Sequence, residues 1–71
     1  MDSLKTRKEV GRSIRAARRK TDLTQVEVAE KAGIHVSYYS RIERGEENPS
    51  VETLKNIAKA LKVKSSDILP F

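Results

Sequence analysis

Apolar residues recur at intervals of three and four along most of this chain, which is the spacing of one face of an α-helix. Near the N-terminus this spacing predicts a first helix from about Leu4 to Lys20, with Val10, Ile14 and Ala17 on one stripe. Towards the C-terminus it predicts a fourth helix after Ser50, a good N-cap residue. The apolar stripe of that helix contains Val51, Leu54, Ile57, Ala58 and Leu61.

Capping residues predict a second, short helix from about Gln25 to Ala32. Thr24 and Glu27 have the spacing of a capping box, in which each side chain accepts the backbone N–H of the other residue. Gly33 follows directly and can adopt the left-handed conformation that ends a helix. Both ends of this helix are therefore marked by local sequence.

A third helix is predicted from about Val36 to Arg44. It is capped by either His35 or Ser37 and ends at Gly45, another C-terminal glycine signal. A polar loop then precedes the fourth helix, and a fifth, short helix is predicted after Ser65 and Ser66, with Asp67, Ile68 and Leu69 in it and Pro70 at its end. We therefore expect an all-α fold, a compact bundle of five helices, with residues 1–71 forming a single domain.

Composition excludes several kinds of site. The chain has no cysteine and one histidine, so we expect no disulfide, no metal site and no cofactor. No apolar run approaches the ~20 residues that span a bilayer, and we expect no membrane association and a cytoplasmic protein. A chain of this length has a thin core, and such domains often pair with a second subunit.

The positive charge is concentrated at the N-terminus. The net charge is +5, and the first twenty residues hold eight Lys or Arg against two acidic residues. Residues 21–45 hold three basic and four acidic residues, and residues 46–71 hold four basic and four acidic residues. Such a basic segment attracts a polyanion, although a solvated helix face is the more ordinary explanation.

The two central helices have the spacing of a helix-turn-helix unit, at about residues 25–44, whose second helix enters the DNA major groove. With Gln25 as its first residue, the fifth is Ala29, small enough for the helices to cross, and the ninth is Gly33, which tolerates a positive φ. The fifteenth and eighteenth, Tyr39 and Ile42, are apolar enough to dock the second helix. The spacing therefore predicts a DNA-binding unit.

Seven segments of the chain match a known family pattern: Ile14-Arg15-Ala16-Ala17-Arg18, Leu23-Thr24-Gln25, Val28-Ala29, Ala32-Gly33-Ile34, Ser40-Arg41-Ile42-Glu43-Arg44-Gly45, Asn48-Pro49-Ser50 and Leu54 through Ala60-Leu61. With these segments the chain resembles, from Val10 to Leu69, the Cro/C1-type family of phage repressor-like helix-turn-helix proteins, also called the XRE family. The resemblance implies a five-helix bundle of the lambda repressor-like type that binds operator DNA, usually as a two-fold dimer. The sequence departs from the family at Tyr39, where an aliphatic residue is usual; we assign Tyr39 to the core and Tyr38 to the DNA side.

The same resemblance implies that the start of the third helix faces base edges. Its candidate base contacts are His35, Val36, Ser37 and Arg41. The planar guanidinium of Arg41 can hold guanine O6 and N7 together, a contact worth about 1–3 kcal/mol of discrimination, although a phosphate contact is the alternative. Val36 can touch a thymine methyl, and a simple capping role for His35 is as well supported as a base contact.

Other residues are expected to dock and brace the helix. The candidate phosphate contacts are Gln25, Tyr38, Arg44 and Asn48, whereas Arg12, Arg15 and Arg19 supply general electrostatic attraction. By resemblance, Arg18 and Glu43 form a bridge between the first and third helices.

Apolar residues near the C-terminus predict a homodimer. The candidate interface lies in residues 62–71 and comprises Val63, Ile68, Leu69 and Phe71. The alternative is that Ile68 and Leu69 close the core of the monomer. A two-fold dimer would place its recognition helices about 34 Å apart, one turn of DNA.

The sequence thus predicts a transcriptional regulator that binds duplex DNA sequence-specifically, as a homodimer on an inverted repeat. Restriction-modification controllers, phage repressors and antitoxins are alternatives of the same fold. A nonspecific DNA-binding or protein-interaction module is a further one, and the lack of Trp or Phe in the basic first helix disfavours a membrane-surface binder. We expect no enzymatic activity. A nucleophile set could be imagined from His35 with Ser37 or Ser40 and Glu43, but residues 35, 37 and 40 point to different sides of one short helix.

Overall fold

The computed structural model describes residues 4–69, which form four α-helices and one 3₁₀ helix, with no strand among them. The elements are α1 (Leu4–Arg19), α2 (Gln25–Ala32), α3 (Val36–Glu43), α4 (Val51–Ala60) and the 3₁₀ helix (Ser65–Asp67). The prediction of an all-α fold is confirmed. None of the described helices is long and apolar enough to cross a membrane.

The expected fifth α-helix is instead the 3₁₀ helix, so the prediction of five α-helices was wrong. The backbone N–H of Asp67 donates to the Lys64 carbonyl at 2.9 Å, and that of Ile68 donates to the Ser65 carbonyl at 3.1 Å, both across three residues. Lys64, rather than Ser65 or Ser66, precedes the first residue of the element. Pro70 follows in the sequence and has no N–H with which to continue the ladder.

Local capping fixes both ends of α2 at the predicted residues. Thr24 Oγ1 accepts the Glu27 N–H at 3.1 Å, and Glu27 Oε1 accepts the Thr24 N–H at 2.8 Å. Gly33 ends the helix with φ +74°, in the left-handed region. The capping box and the glycine stop are therefore confirmed.

α3 begins after His35, which settles the alternative between His35 and Ser37 as its cap. The ring Nδ1 of His35 accepts the Ser37 N–H at 3.1 Å and lies 2.7 Å from Ser37 Oγ. The helix ends at Glu43, one residue before the predicted end, with Arg44 as C-cap and Gly45 following at φ +74°.

The core lies where all four helices and the C-terminal segment meet. Tyr39 and Ile42 of α3 are buried, as predicted, and pack on side chains from the other elements. Ile68, next to the 3₁₀ helix, is only 1% exposed and closes one side of this core. The remaining fully buried large side chains are Ile14, Val28 and Ile57.

A glycine allows α1 to pack closely on the C-terminal end of α3. A Cβ atom at Gly11 would lie 2.6 Å from the carbonyl oxygens of both Ile42 and Glu43, closer than any real contact. The absence of a side chain at Gly11 therefore sets the distance between these two helices.

Candidate nucleic-acid interface

One face of α3 is directed to solvent while the opposite face is buried. Tyr39, Ile42 and Glu43 face the interior. Ser37, Arg41 and Arg44 lie on the outer side at intervals of four and three residues, within about 60° of one another around the helix axis. We call these three residues the outer stripe; Ser37 and Arg44 are exposed, and Arg41 is partly exposed.

The remaining candidate contacts on α3 are only partly available. Val36 and Tyr38 are partly buried and pack against the core, so each presents only part of its side chain. His35 is exposed, but its Nδ1 is used in the helix cap. Asn48, in the loop that follows, is exposed.

Polar side chains, of which Glu43 is buried and the others are partly buried, connect three helices behind the outer stripe. Arg18 Nε donates to Glu43 Oε2 at 2.7 Å, and Arg18 Nη2 donates to Glu43 Oε1 at 3.3 Å. Gln25 Nε2 donates to the same Glu43 Oε1 at 3.0 Å, and Ser40 Oγ donates to Gln25 Oε1 at 2.9 Å. We call these four residues, from α1, α2 and α3, the polar hub.

Burial and hydrogen bonding act in opposite directions on the Glu43 carboxylate. Burial is the largest single effect and raises its pKa, but hydrogen bonding by Arg18, the neighbouring Tyr39 and Gln25, together with the positive charge of Arg18, outweighs it. The net effect holds the pKa of Glu43 below its usual value. The carboxylate is therefore charged at neutral pH, although the residue is only 6% exposed.

Tyr39 occupies the core with a hydroxyl that makes no hydrogen bond of ordinary geometry. Burial raises the pKa of this phenol far above its usual value, and the adjacent Glu43 carboxylate raises it further. The departure from an aliphatic residue at this position thus leaves a neutral, buried hydroxyl beside the polar hub.

The amide of Gln25, expected at a phosphate, is turned inward in this structure. Its nitrogen donates to Glu43 and its oxygen accepts from Ser40, so both ends of the amide are engaged in the polar hub. The position of Gln25 at the start of α2 is as predicted, but its side chain joins α2 to α3.

Both arginines of the outer stripe form ion pairs with the loop that follows α3. Arg41 Nε lies 2.8 Å from Glu47 Oε2. Arg44 binds Glu46 through two contacts, Nε to Oε2 at 3.0 Å and Nη2 to Oε1 at 3.2 Å. The hydrogen bond to Arg44 lowers the pKa of Glu46.

Comparison with known proteins places this arrangement in a family. The helix-turn-helix family matches residues 14–68, which include α2, the Gly33 turn and α3. The chain belongs to the helix-turn-helix family. The family resemblance drawn from the sequence is therefore confirmed, and the family is one of DNA-binding transcriptional regulators.

Among curated helix-turn-helix relatives, the immunity repressor protein of Bacillus phage phi105 is 47% identical over 60 residues, which are 84% of this chain and 42% of the repressor. The control protein C.BamHI of Bacillus amyloliquefaciens is 37% identical over 62 residues, 86% of this chain and 76% of that protein. The chain thus spans less than half of the length of the phage repressor.

A solved helix-turn-helix structure has the same fold. The restriction-modification controller protein C.AhdI from Aeromonas hydrophila superimposes with a TM-score of 0.85 at 27% identity, covering 89% of this chain and 96% of that one.

Three basic residues of α1 lie on its solvent-exposed side. Arg12, Arg15 and Arg19 are exposed, and a shallow surface depression runs between them. No acidic side chain of residues 4–69 forms an ion pair with any of the three. Their charge therefore remains directed to solvent.

The residues predicted to form a dimer interface lie in different environments. Val63 and Leu69 are partly buried and pack against the core. Ile68 is buried within the monomer, so its assignment to the interface does not hold: its side chain is covered by its own chain. Phe71 lies outside the described residues.

Three residues of the site were missed from the sequence. Ser40 joins the polar hub, and Glu46 and Glu47 hold the outer arginines. The adjacent acidic pair directly after a basic helix end was a visible signal for the ion pairs. The hydroxyl of Ser40 carried no comparable signal, because its partner Gln25 lies on another helix.

Proposed function

We propose that this protein regulates transcription by binding a specific duplex DNA sequence with α3 in the major groove. The observation that carries this proposal is the outer stripe. Ser37, Arg41 and Arg44 face solvent on one side of a helix whose other side is anchored in the core. The stripe spans eight residues, or roughly 10 Å of helix, which fits a major groove about 12 Å wide.

Each residue of the outer stripe is suited to a different kind of contact with DNA. Arg41 donates to guanine, Ser37 donates to or accepts from a neighbouring base, and Arg44, one turn further on, binds a phosphate. Arg12, Arg15 and Arg19 on α1 add nonspecific attraction to the DNA backbone. Specificity and attraction are thus supplied by different helices.

We propose that the protein binds as a homodimer on an inverted repeat. The described residues extend 29 Å along their longest axis, a size comparable with the ~34 Å that separates successive major grooves on one face of DNA. The proposed interface comprises Val63, Leu69 and Phe71 from the predicted set. Val51, 56% exposed, joins them because it lines the same shallow groove as Leu69.

Selection of bound duplexes from a random pool tests the DNA-binding proposal. We expect an inverted repeat containing a guanine whose preference is lost in Arg41→Ala but retained in Lys55→Ala, an exposed cation on α4. The logarithm of affinity should fall with the logarithm of salt concentration with a slope of several units, about 0.9 per phosphate contacted. Equal enrichment of all sequences would refute specific recognition.

Sedimentation equilibrium tests the dimer. We expect Val51→Asp to shift the protein to a monomer, whereas Val26→Asp, a matched change at an equally exposed valine (51%) on α2, should leave the dimer intact. A wild-type protein that stays monomeric at high micromolar concentration contradicts the dimer proposal without affecting the DNA-binding one.

A further inference from the structure

The ion pair between Arg41 and Glu47 uses only one edge of the guanidinium. Arg41 Nε donates to Glu47 Oε2 at 2.8 Å, and within the described chain its two terminal amino groups form no hydrogen bond. Both side chains are partly solvent-accessible, at 42% for Arg41 and 32% for Glu47. The carboxylate therefore holds the guanidinium from the side and leaves its end directed outward.

The neighbouring pair differs in this respect. Glu46 accepts hydrogen bonds from both Nε and Nη2 of Arg44, at 3.0 and 3.2 Å, and so covers the whole edge of the guanidinium that these two nitrogens form. Two adjacent glutamates thus bind two arginines in different ways. The pair at Arg44 leaves Nη1 and the second N–H of Nη2 for a phosphate, whereas the pair at Arg41 leaves both terminal amino groups open.

The backbone of the two preceding residues, Gly45 and Glu46, brings the loop back towards Arg41. The Glu46 N–H donates to the Arg41 carbonyl at 2.9 Å, and Gly45, at φ +74°, turns the chain back over the last turn of α3. Gly45 is itself buried against α1, since a Cβ atom there would lie 2.8 Å from Lys8 Cγ. The loop therefore returns to Arg41 along a path that leaves little freedom.

We propose that Glu47 is a positioning residue that orients Arg41 so that its two terminal amino groups bind a guanine. This inference rests on the proposed function. Guanine presents O6 and N7 side by side in the major groove, and an arginine approaching end-on donates one N–H to each. A side chain already held in the bound orientation loses less conformational freedom on binding.

The charge of Glu47 acts in the same direction. A carboxylate at the side of Arg41 repels an approaching phosphate, so the arginine is biased towards base edges, which carry no net charge. Glu47 is therefore expected to weaken binding to nonspecific DNA while strengthening the preference for guanine. A residue that merely supports the fold would not change nonspecific binding and the preference for guanine in opposite directions.

The test compares Glu47→Ala and Glu47→Gln with the matched control Glu46→Gln. The probes are the duplex selected by the wild-type protein, the same duplex with 7-deazaguanine at the position identified with Arg41→Ala, and poly(dA-dT), which has no guanine, as nonspecific DNA. For the wild type, loss of N7 should reduce affinity about ten-fold. Glu47→Ala should reduce this loss of affinity to about two-fold and should bind poly(dA-dT) at least as tightly as the wild type does.

The other variants define the mechanism. Glu47→Gln, which retains an acceptor but no charge, should give an intermediate penalty, and Glu46→Gln should keep the full ten-fold penalty. Because a partly exposed ion pair contributes little to stability, all variants should melt within a few degrees of the wild type by circular dichroism.

Two results would overturn the inference alone. If Glu47→Ala still loses about ten-fold in affinity when N7 is removed, Arg41 needs no support from Glu47. If Glu47→Ala and Glu46→Gln lower this loss by the same factor, the effect is one of net charge only. If the wild type instead enriches no sequence at all, the proposed function fails and the inference fails with it.

Discussion

Glu43→Ala removes the carboxylate at the centre of the polar hub. Arg18 then loses its partner at 2.7 Å, and the Gln25 amide loses its acceptor at 3.0 Å. The substitution leaves a guanidinium and an amide facing a small cavity. We expect the variant to lose DNA binding because it loses the folded arrangement of α1, α2 and α3.

The cost follows from burial. Glu43 is 6% exposed, and removing one partner of a buried ion pair costs about 3–5 kcal/mol because the other charge remains buried and unpaired. The Arg18 side chain retains 18% exposure and can partly reach water, which favours the lower end of that range. For a domain of this size, about 3 kcal/mol corresponds to a fall in Tm of roughly 12–24 °C.

Thermal unfolding followed by circular dichroism measures this change. Glu30→Ala is the matched control, because it removes the same charge from an exposed position on α2 and should alter stability by no more than about 0.5 kcal/mol. Leucine at both Arg18 and Glu43 should recover part of the lost stability, since no charge is left unpaired. A Glu43→Ala protein that melts with the wild type would refute the reasoning.

Three further predictions concern stability. Gly11→Ala should lower stability by about 1–3 kcal/mol, because its methyl group meets two α3 carbonyl oxygens at 2.6 Å, and thermal melts measure the loss. Thr24→Ala should cost about 1 kcal/mol through loss of the α2 cap, seen as a fall in Tm of roughly 4–8 °C. The folded-state pKa of Glu43 is lowered, so its contribution to stability is complete at neutral pH and declines as pH falls below about 4.3; urea titrations across this range should show a weaker acid dependence for Glu43→Gln.

The parts of the fold that the sequence predicted are those defined by local chemistry. The two ends of α2 follow from Thr24, Glu27 and Gly33, which act within one turn of the residues they cap. The burial of Tyr39 and Ile42 follows from helical periodicity. In each case the deciding interactions lie a few residues apart in the chain.

The parts that sequence did not predict depend on residues far apart or on competition between partners. An apolar residue near the C-terminus can cover its own core or a second subunit, and only the packing assigns Ile68 to the core. Periodicity cannot distinguish a single 3₁₀ turn from the start of an α-helix, which is why the fifth element was misassigned. The side chain of Gln25 can face DNA or Glu43, and in this structure it faces Glu43.

The polar hub has a consequence for how this protein can diverge. Apolar contacts tolerate small rotations between helices, whereas directional hydrogen bonds to one carboxylate favour a single crossing angle. None of the four hub residues belongs to the outer stripe, so the angle of α3 and the identity of its contacts are encoded by separate residues. Substitutions at Ser37 or Arg41 can therefore change the preferred DNA sequence while the polar hub keeps α3 at the same angle. The fold is thus suited to the design of variants that bind other DNA sequences.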